Sequence, residues 1–373
     1  MRLELKMPER IIFEEGCLKE LDGCAAELGD NIFIAASRTL LKEGKLDGVF
    51  AGLRQRNIKY TVFDGVTGEP SPQMVDDAVN MARAAGCGAV AGIGGGSVLD
   101  LAKCVAALIN NEGGAECYLE LTASPKKLEN EVVPFIAVPT TAGTGSEATK
   151  NAVVSSAEKG YKKSLRSDKM LARIALIDPQ LTYGLSRKIT ARTGMDAITQ
   201  IIESYTSKKA TPLTRALCID AAANFGCLIQ AWEKDDHSAR KGMSYLSLIS
   251  GIALANSGLG AAHGIAAGLG ALYNVPHGEA CAVLLPHVMR FNMRLCGEDY
   301  AELAYRATGR RSAEALIDYI EALNEQMGIP GRLDYLNIRD TEELSRASMG
   351  SSMSGNRVEM DVRQCAEFIK GLI

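Results

Sequence analysis

The first half of the chain alternates short apolar runs with longer amphipathic segments. Five runs have the length of buried strands, and they cover residues 31–36, 60–63, 89–93, 134–139 and 174–178. Segments 39–56 and 72–85 repeat their apolar positions with helical spacing. Because strands that alternate with helices usually pair in parallel, the pattern predicts an α/β domain with a parallel sheet, an architecture typical of nucleotide binding.

Beyond residue 180 the strand pattern fades and helical periodicity continues to the last residue. We expect an α/β dinucleotide-binding domain over 1–180 and an all-α domain over 181–373. Residues 251–275 contain no Asp, Glu, Lys or Arg and are long enough to span a membrane. Glycine and alanine dominate them, however, and Gly260, Gly264 and Gly268 recur every four residues, as in close helix packing. The prediction is one buried helix and no membrane contact.

Glycine makes up about a tenth of the chain, against a usual ~7%. One cluster, 92–100, follows the third predicted strand and opens a helix. Such a turn lets a phosphate approach the backbone and the helix N-terminus. Ser97 replaces the last glycine of a G-x-G-x-x-G pattern, and we interpret Ser97 and Asp100 as a capping pair. A second turn, 139–147, combines hydroxyls with glycines. Either turn alone could be a bare loop, but two together favour a phosphate-binding site.

Composition narrows the classes of function. The net charge is -4, with 41 basic and 45 acidic residues and no charged block, which argues against nucleic acid as a partner. Ten cysteines are scattered without a C-x-x-C pair, so we expect reduced thiols in a cytoplasmic protein. The first residues lack the apolar core of a signal peptide.

The chain has only four histidines, and two of them are candidate metal ligands. Asp196 and Gln200 lie on one face of a predicted helix, and His263 and His277 follow later. A carboxylate with imidazoles suits zinc or ferrous iron. Taken alone, each histidine is more often a core residue than a metal ligand, and sequence spacing cannot show that distant residues meet. The other two histidines, His237 and His287, are expected on the surface and in packing.

Several motifs resemble those of the iron-containing (group III) alcohol dehydrogenase family. They appear in order as GGGSxxDxAK at 94–103, PTTAGTGSE at 139–147, GMDA at 194–197, and PHG at 276–278 with LLP at 284–286. The resemblance covers nearly the whole chain. It implies a dehydroquinate-synthase-like fold, with the cofactor and metal meeting between two domains, and a homodimer.

By position, the resemblance assigns two sets of residues. The metal ligands fall on Asp196, Gln200, His263 and His277. The cofactor contacts fall on Ser37, Gly94, Gly95, Gly96, Ser97, Asp100, Thr140, Thr141, Thr144, Asn151 and Lys162.

Three departures from the family pattern matter. Gln200 replaces the usual histidine, so iron affinity should fall, and iron, zinc and a metal-free site all remain open. Ala267 replaces a histidine that can assist proton transfer, so water or another group must do so. Ser37, followed by Arg38, replaces the aspartate typical of NAD users, which favours NADP over NAD.

The expected function is hydride transfer between NAD(P)H and a small aldehyde or ketone, or the reverse reaction from its alcohol. A divalent metal would polarise the carbonyl oxygen, with Asp196, His263 and His277 as the catalytic set. A metal-free reductase resembling maleylacetate reductase is an alternative. A cyclase like dehydroquinate synthase and a non-enzymatic cofactor-binding protein are less favoured. The cyclase needs clustered Lys and Arg, whereas the segments flanking the metal residues are apolar.

Overall fold

The chain divides into two units, each with its own internal contacts. The computed structural model describes residues 3–121, 124–156 and 158–373. The sheet unit comprises Lys6–Thr141 and Ser146–Tyr183, and the helical unit comprises Ala142–Gly145, Gly184–Ile373 and an N-terminal stretch that ends at Leu5. We predicted a single division near residue 180. The structure also groups Ala142–Gly145, which come well before that residue, with the helical unit.

Eight strands lie in the described part of the sheet unit. They are β1 (Arg10–Phe13), β2 (Asn31–Ala36), β3 (Lys59–Phe63), β4 (Ala89–Gly94), β5 (Phe135–Pro139), β6 (Asn151–Ser156), β7 (Tyr161–Arg166) and β8 (Ile174–Ile177). Six form a sheet in the order β1-β8-β5-β4-β2-β3, and its five strand pairings are all parallel. β4 and β5 are buried along their whole length, as expected of strands covered on both faces. The predicted fold class is confirmed.

The sequence pattern missed three strands. β6 and β7 form a separate antiparallel hairpin, and β1 is a four-residue edge strand. β7, with the sequence YKKSLR, is mostly polar and only Leu165 in it is buried. Short strands with at most two buried residues each, as here, leave no clear periodic pattern.

Five helices belong to the sheet unit. They are α1 (Leu21–Ala26), α2 (Arg38–Lys42), α3 (Asp47–Gln55), α4 (Pro72–Ala84) and α5 (Gly96–Leu108). The single helix predicted over 39–56 is wrong, since α2 and α3 are separate. Gly44 has a φ of +67°, a left-handed conformation that ends α2, and buried Leu46 precedes α3.

The helical unit contains nine α-helices among the described residues. They are α6 (Arg187–Thr206), α7 (Pro212–Ala222), α8 (Cys227–Lys234), α9 (His237–Ser257), α10 (Ala261–Tyr273), α11 (His277–Thr308), α12 (Ala313–Gln326), α13 (Thr341–Ser348) and α14 (Val362–Lys370). α6 begins at a side-chain cap, because the Ser186 hydroxyl accepts a hydrogen bond from the Ile189 amide. Its residues from Gly194 to Thr206 are all buried, so their side chains face other helices of the unit.

The glycine- and alanine-rich stretch 251–275 is not one helix. α9 ends at Ser257 and α10 begins at Ala261, and the two helices meet at 99°. No single helix in the described residues is long and apolar enough to cross a membrane, although this bent pair meets the length and composition criteria. Gly264 and Gly268 pack against Ser348 of α13, whereas Gly260 precedes α10.

One close backbone contact ties α9 to the 142–145 segment. A Cβ built on Gly251 would lie 2.2 Å from the Gly145 carbonyl oxygen and 2.8 Å from the Gly145 Cα. Real Cβ atoms do not approach backbone so closely, so a side chain at Gly251 would separate the helix from the segment.

We predict that Gly251→Ala lowers the free energy of unfolding by about 1–3 kcal/mol or more, because the methyl group overpacks a backbone contact. The midpoint of urea unfolding measures the effect. Gly297→Ala on α11 is the matched control, because its Cβ would lie 3.6 Å from the nearest atom, Met293 Sδ. It should be neutral or slightly stabilising. Equal stability of the two variants would show that the contact is unimportant.

Candidate functional site

Three loops of the sheet unit meet at the carboxyl edge of neighbouring strands. β2 ends before Ser37, β4 ends in Gly94, and β5 ends before Thr140. The Ser37 amide donates to the Ile93 carbonyl at 2.9 Å, and the Thr140 amide donates to the Gly94 carbonyl at 3.0 Å. The structure therefore brings together Ser37, the 94–97 turn and Thr140–Thr141, as the sequence analysis expected.

The direction in which successive strands are added to the sheet reverses between β2 and β4. From β2 the chain first builds β3 on one side and then β4 on the other, followed by β5 and β8. Open α/β sheets bind nucleotides at such a switch point, because the loops on either side diverge and leave a crevice. The glycine-rich turn lies at this position.

The first turn of α5 supplies backbone donors there. Its N-cap residue is Gly95, and no side chain within the described residues caps it. The predicted Ser97–Asp100 capping pair is wrong, because the helix already begins at Gly96. The free N–H groups at this helix start and its positive dipole end suit a phosphate group.

Asp100 has internal partners instead. Its carboxylate accepts hydrogen bonds from Ser146 Oγ at 2.6 Å and from the Val153 amide at 2.9 Å, and it forms an ion pair with Lys103 at 3.2 Å. It fixes the 146–153 segment to α5.

Lys103 is a buried cation whose ammonium group also binds this segment. It donates to the Ser146 carbonyl at 3.0 Å, to Thr149 Oγ1 at 2.9 Å and to the Asn151 carbonyl. Lys103 is the last residue of the motif at 94–103, and the sequence indicated no role for it. In the structure it anchors the start of β6, where the predicted cofactor contact Asn151 lies.

Two further predicted contacts lie elsewhere. Lys162 is on β7, opposite Ser155, and pairs with Glu69. Thr144 belongs by its contacts to the helical unit, where its carbonyl accepts a hydrogen bond from the Gln200 amide at 3.5 Å.

Glu147, the last residue of the second glycine-rich turn, is buried. Burial raises the pKa of its carboxyl to about 7.

The helical unit gathers a second cluster. Asp196 comes from α6, His263 from the first turn of α10 and His277 from the first residue of α11. Asp196 Oδ1 lies 3.2 Å from His263 Nε2 and 3.8 Å from His277 Nε2. Cys281, one turn after His277, completes a group whose donor atoms all lie within 4.8 Å of one another.

Glu203 positions the His263 imidazole. The Nδ1 of His263 lies 2.6 Å from Glu203 Oε2, and the same carboxylate accepts from the amides of Gly260 and Ala262 at 2.9 and 2.7 Å. With Nδ1–H directed at Glu203, Nε2 is the nitrogen that faces Asp196. This is the carboxylate–histidine pairing typical of metal sites, in which the outer hydrogen bond sets the tautomer.

The pKa shifts follow from this arrangement. Burial opposes ionisation of Asp196, but hydrogen bonding to His263 and the charge of His277 hold the pKa of the carboxyl below its usual value. Burial likewise opposes charge on His263, yet Cys281, Asp196 and Glu203 raise the pKa of the imidazole well above its usual value. Burial raises the pKa of the Cys281 thiol to about 11. Buried opposite charges of this kind are stable only when paired, and a divalent cation can replace the proton.

Gln200 does not direct its amide oxygen into the cluster. Gln200 Oε1 accepts from Ser250 Oγ at 2.6 Å, and Gln200 Nε2 donates to the Thr144 carbonyl at 3.5 Å. The amide of the expected fourth ligand thus has its partners outside the cluster. An oxygen engaged by a hydroxyl donor is a poor substitute for an imidazole lone pair.

The donor set fits a divalent transition metal. A carboxylate oxygen, two imidazole nitrogens and a thiol converge there, all from buried residues except the partly exposed His277, and Glu203 orients the His263 imidazole. The analysis of the sequence missed Cys281 and the role of Glu203. The i, i+4 spacing from His277 to Cys281 was a signal that could have found the cysteine.

The other two histidines lie outside this cluster. His287 Nε2 lies 2.7 Å from the Gly331 carbonyl, and exposed His237 begins α9. Ala267 follows His263 by one turn of α10 and offers no titratable group.

Family models match both parts of the chain. The model described as iron-containing alcohol dehydrogenase matches residues 8–179. The model of the C-terminal region of the Fe-containing alcohol dehydrogenase family matches residues 190–368.

Curated relatives and solved structures agree with these matches. A 1,3-propanediol dehydrogenase of Citrobacter freundii is 36% identical over 81% of this chain and 79% of its own length. A lactaldehyde reductase of Escherichia coli is 32% identical over 86% of both chains. The crystal structure of a sulfoacetaldehyde reductase from Bifidobacterium kashiwanohense in complex with NAD+ superposes with a TM-score of 0.91, at 29% identity, over 100% of this chain and 99% of the other.

We predict that Glu203→Gln weakens zinc binding by roughly 10–100-fold, because an amide cannot accept from Nδ1–H and the helix amides as a carboxylate does. Competition against a chromophoric chelator measures the affinity. Glu359→Gln is the control, because Glu359 is exposed and pairs only at the surface with Lys208. Unchanged affinity in Glu203→Gln would mean that the imidazole needs no outer partner.

Proposed function

The chain belongs to the iron-containing alcohol dehydrogenase family, and from that premise we propose that Asp196, His263 and His277 hold the divalent ion of its active site. The protein is an oxidoreductase that transfers a hydride between NAD(P)H and an aldehyde or its alcohol. The single observation that carries the site assignment is the convergence of His263 Nε2 and His277 Nε2 on Asp196 Oδ1, with the three residues on three different helices.

The protein's own residues have separate tasks in this reaction. The amides at the start of α5 and the 94–97 turn bind the cofactor pyrophosphate, and the Thr140–Thr141 hydroxyls lie at the adjacent strand end. Glu203 keeps Nδ1 of His263 protonated so that Nε2 is available as a ligand. When bound, the cation supplies a Lewis acid that polarises the substrate carbonyl, and the nicotinamide supplies the hydride.

Proton delivery to the product oxygen cannot involve position 267. Ala267 has no titratable group, and it occupies the position one turn after His263 on α10. We infer that water delivers the proton that converts the reduced product into an alcohol.

The substrate proposed is a short aldehyde with a second polar group. The relatives' names refer to 1,3-propanediol, lactaldehyde and sulfoacetaldehyde, all of them small and polar. These names support the class of substrate and leave the individual compound to a substrate panel.

We propose NADP(H) as the preferred cofactor. Ser37 directly follows β2 at the sheet switch point, where an aspartate would repel a 2′-phosphate, and Arg38 comes next. Arg38 Nε lies 3.2 Å from Asp64 Oδ2, with both side chains half exposed. An exposed pair of this kind contributes at most about 1 kcal/mol, so the guanidinium can turn towards a phosphate at little cost.

We predict that His263→Ala lowers aldehyde-dependent oxidation of NADPH by about 1000-fold, the effect of losing several kcal/mol of carbonyl activation. Binding of NADPH, followed by nicotinamide fluorescence, should change little. His287→Ala is the control, because that side chain contacts the Gly331 carbonyl instead of the cluster. Wild-type turnover by metal-free His263→Ala would exclude the proposed site.

We predict that Arg38→Ala raises KM for NADPH by roughly tenfold or more and leaves KM for NADH unchanged, because a charge-assisted phosphate contact is lost. Initial rates with each cofactor measure the effect. Arg56→Ala, which removes an exposed arginine paired with Asp22, is the control. An equal change for both cofactors would contradict the proposed NADP(H) preference.

A further inference from the structure

Gln200 on α6 does not supply a fourth ligand to the cluster of Asp196, His263 and His277. The Gln200 oxygen is taken by Ser250 Oγ, and its amide nitrogen donates to the Thr144 carbonyl. Three ligands then remain from the set implied by the family.

Cys281 lies beside those three ligands, on α11, whereas Gln200 lies on α6. It follows His277 by one turn of α11, so both side chains project from the same face. Its sulfur lies 3.8 Å from His277 Nε2 and within 4.8 Å of the donor atoms of His263 and Asp196. The residue is fully buried, so the thiol faces the cluster and not solvent.

Three of the six distances between the four donor atoms lie close to those of a tetrahedral site. With metal–nitrogen and metal–oxygen bonds near 2.0–2.1 Å and metal–sulfur bonds near 2.3 Å, ligand atoms in a tetrahedron lie about 3.3–3.5 Å apart. The distances here are 3.2 Å from His263 Nε2 to Asp196 Oδ1, and 3.8 Å from His277 Nε2 to both Asp196 Oδ1 and Cys281 Sγ. Because all four donor atoms lie within 4.8 Å of one another, inward shifts of roughly an ångström or less would place one cation within bonding distance of all four.

We propose that Cys281 is a metal ligand that replaces the missing imidazole at position 200 and makes the site selective for zinc over ferrous iron. This inference rests on the proposed function of the cluster and names the chemistry of its cation. A thiolate is a softer ligand than imidazole or carboxylate, and zinc also exceeds ferrous iron in general affinity for nitrogen and sulfur donors. As the sulfur–metal bond forms, the S–H bond breaks and its proton passes to solvent, so no oxidant or reductant is needed.

A fourth protein ligand is compatible with turnover. Zinc in catalytic sites can expand to five-coordination, so a substrate oxygen can still bind beside the four side chains.

Cobalt substitution tests the assignment without an activity assay. Protein freed of metal under reducing conditions is loaded with Co2+, and its absorption spectrum is recorded for wild type, Cys281→Ser, Cys296→Ser and His277→Ala. Cys296 is the matched control, because it is a buried cysteine on the same helix outside the cluster.

A thiolate-to-cobalt charge-transfer band is expected in wild type and in Cys296→Ser. Cys281→Ser should lose this band while keeping the weaker cobalt bands of the other ligands. Its zinc affinity, from chelator competition, should fall by roughly 100-fold or more, since even an outer hydrogen-bond partner contributes 10–100-fold. Metal-depleted wild type offered equal Zn2+ and Fe2+ under anaerobic conditions should take up zinc.

Two results would overturn the proposal, and they differ in what they say of the proposed function. Cobalt bound by wild type without a sulfur band, together with weakened binding in His277→Ala, would exclude Cys281 and leave the other three ligands in place. Binding unaffected in both Cys281→Ser and His277→Ala would exclude the metal centre as a whole. If the serine variant fails to fold, the wild-type and Cys296→Ser spectra still decide between a sulfur ligand and none.

Discussion

The buried contact between Glu203 and His263 is the interaction on which the helical unit's chemistry depends. The Glu203 carboxylate accepts from two amides at the start of α10 and from the imidazole Nδ1, so it fixes a helix end and a side chain at once. Asp196, two turns earlier on the same α6, faces the other imidazole nitrogen. Two acidic groups on one helix thus hold a single histidine from both sides. A fully buried group of this charge requires a cationic partner, which a proton or a divalent metal supplies.

The sheet unit depends on a different constraint, which is the position of its strand ends. Its parallel order brings the ends of β2, β4 and β5 to one edge, where an uncapped helix start presents backbone donors. Buried Lys103 and Asp100 then fix the 146–153 segment next to that edge through carbonyl, hydroxyl and amide contacts. Lys103 and Asp100 stabilise this part of the unit whether or not they contact a cofactor, because losing either would leave buried polar groups without partners.

The sequence predicted best what is periodic or local. The buried strands and the two glycine-rich turns could be located because apolar runs and turn residues act over short distances. The break between α2 and α3 at Gly44 could not be located, since one left-handed residue hardly disturbs the helical periodicity around it. The β6–β7 hairpin could not be located either, since the mostly polar β7 carries no clear apolar pattern. Asp196 and His263 are 67 residues apart, so only the resemblance or the fold could pair them. Gln200 was expected to ligate because the resemblance places a metal ligand at its position, but its amide oxygen accepts a hydrogen bond from Ser250, which no sequence pattern links to it.

Metal removal and restoration test the central claim that the Asp196 cluster holds the ion required for hydride transfer. Aldehyde-dependent NADPH oxidation is measured on protein depleted by a chelator and then titrated with zinc, with bound metal determined by elemental analysis. Activity should be absent without metal and should rise in proportion to bound zinc until one ion is bound per chain. Full activity in metal-depleted protein would contradict the account and identify the enzyme as a metal-free reductase.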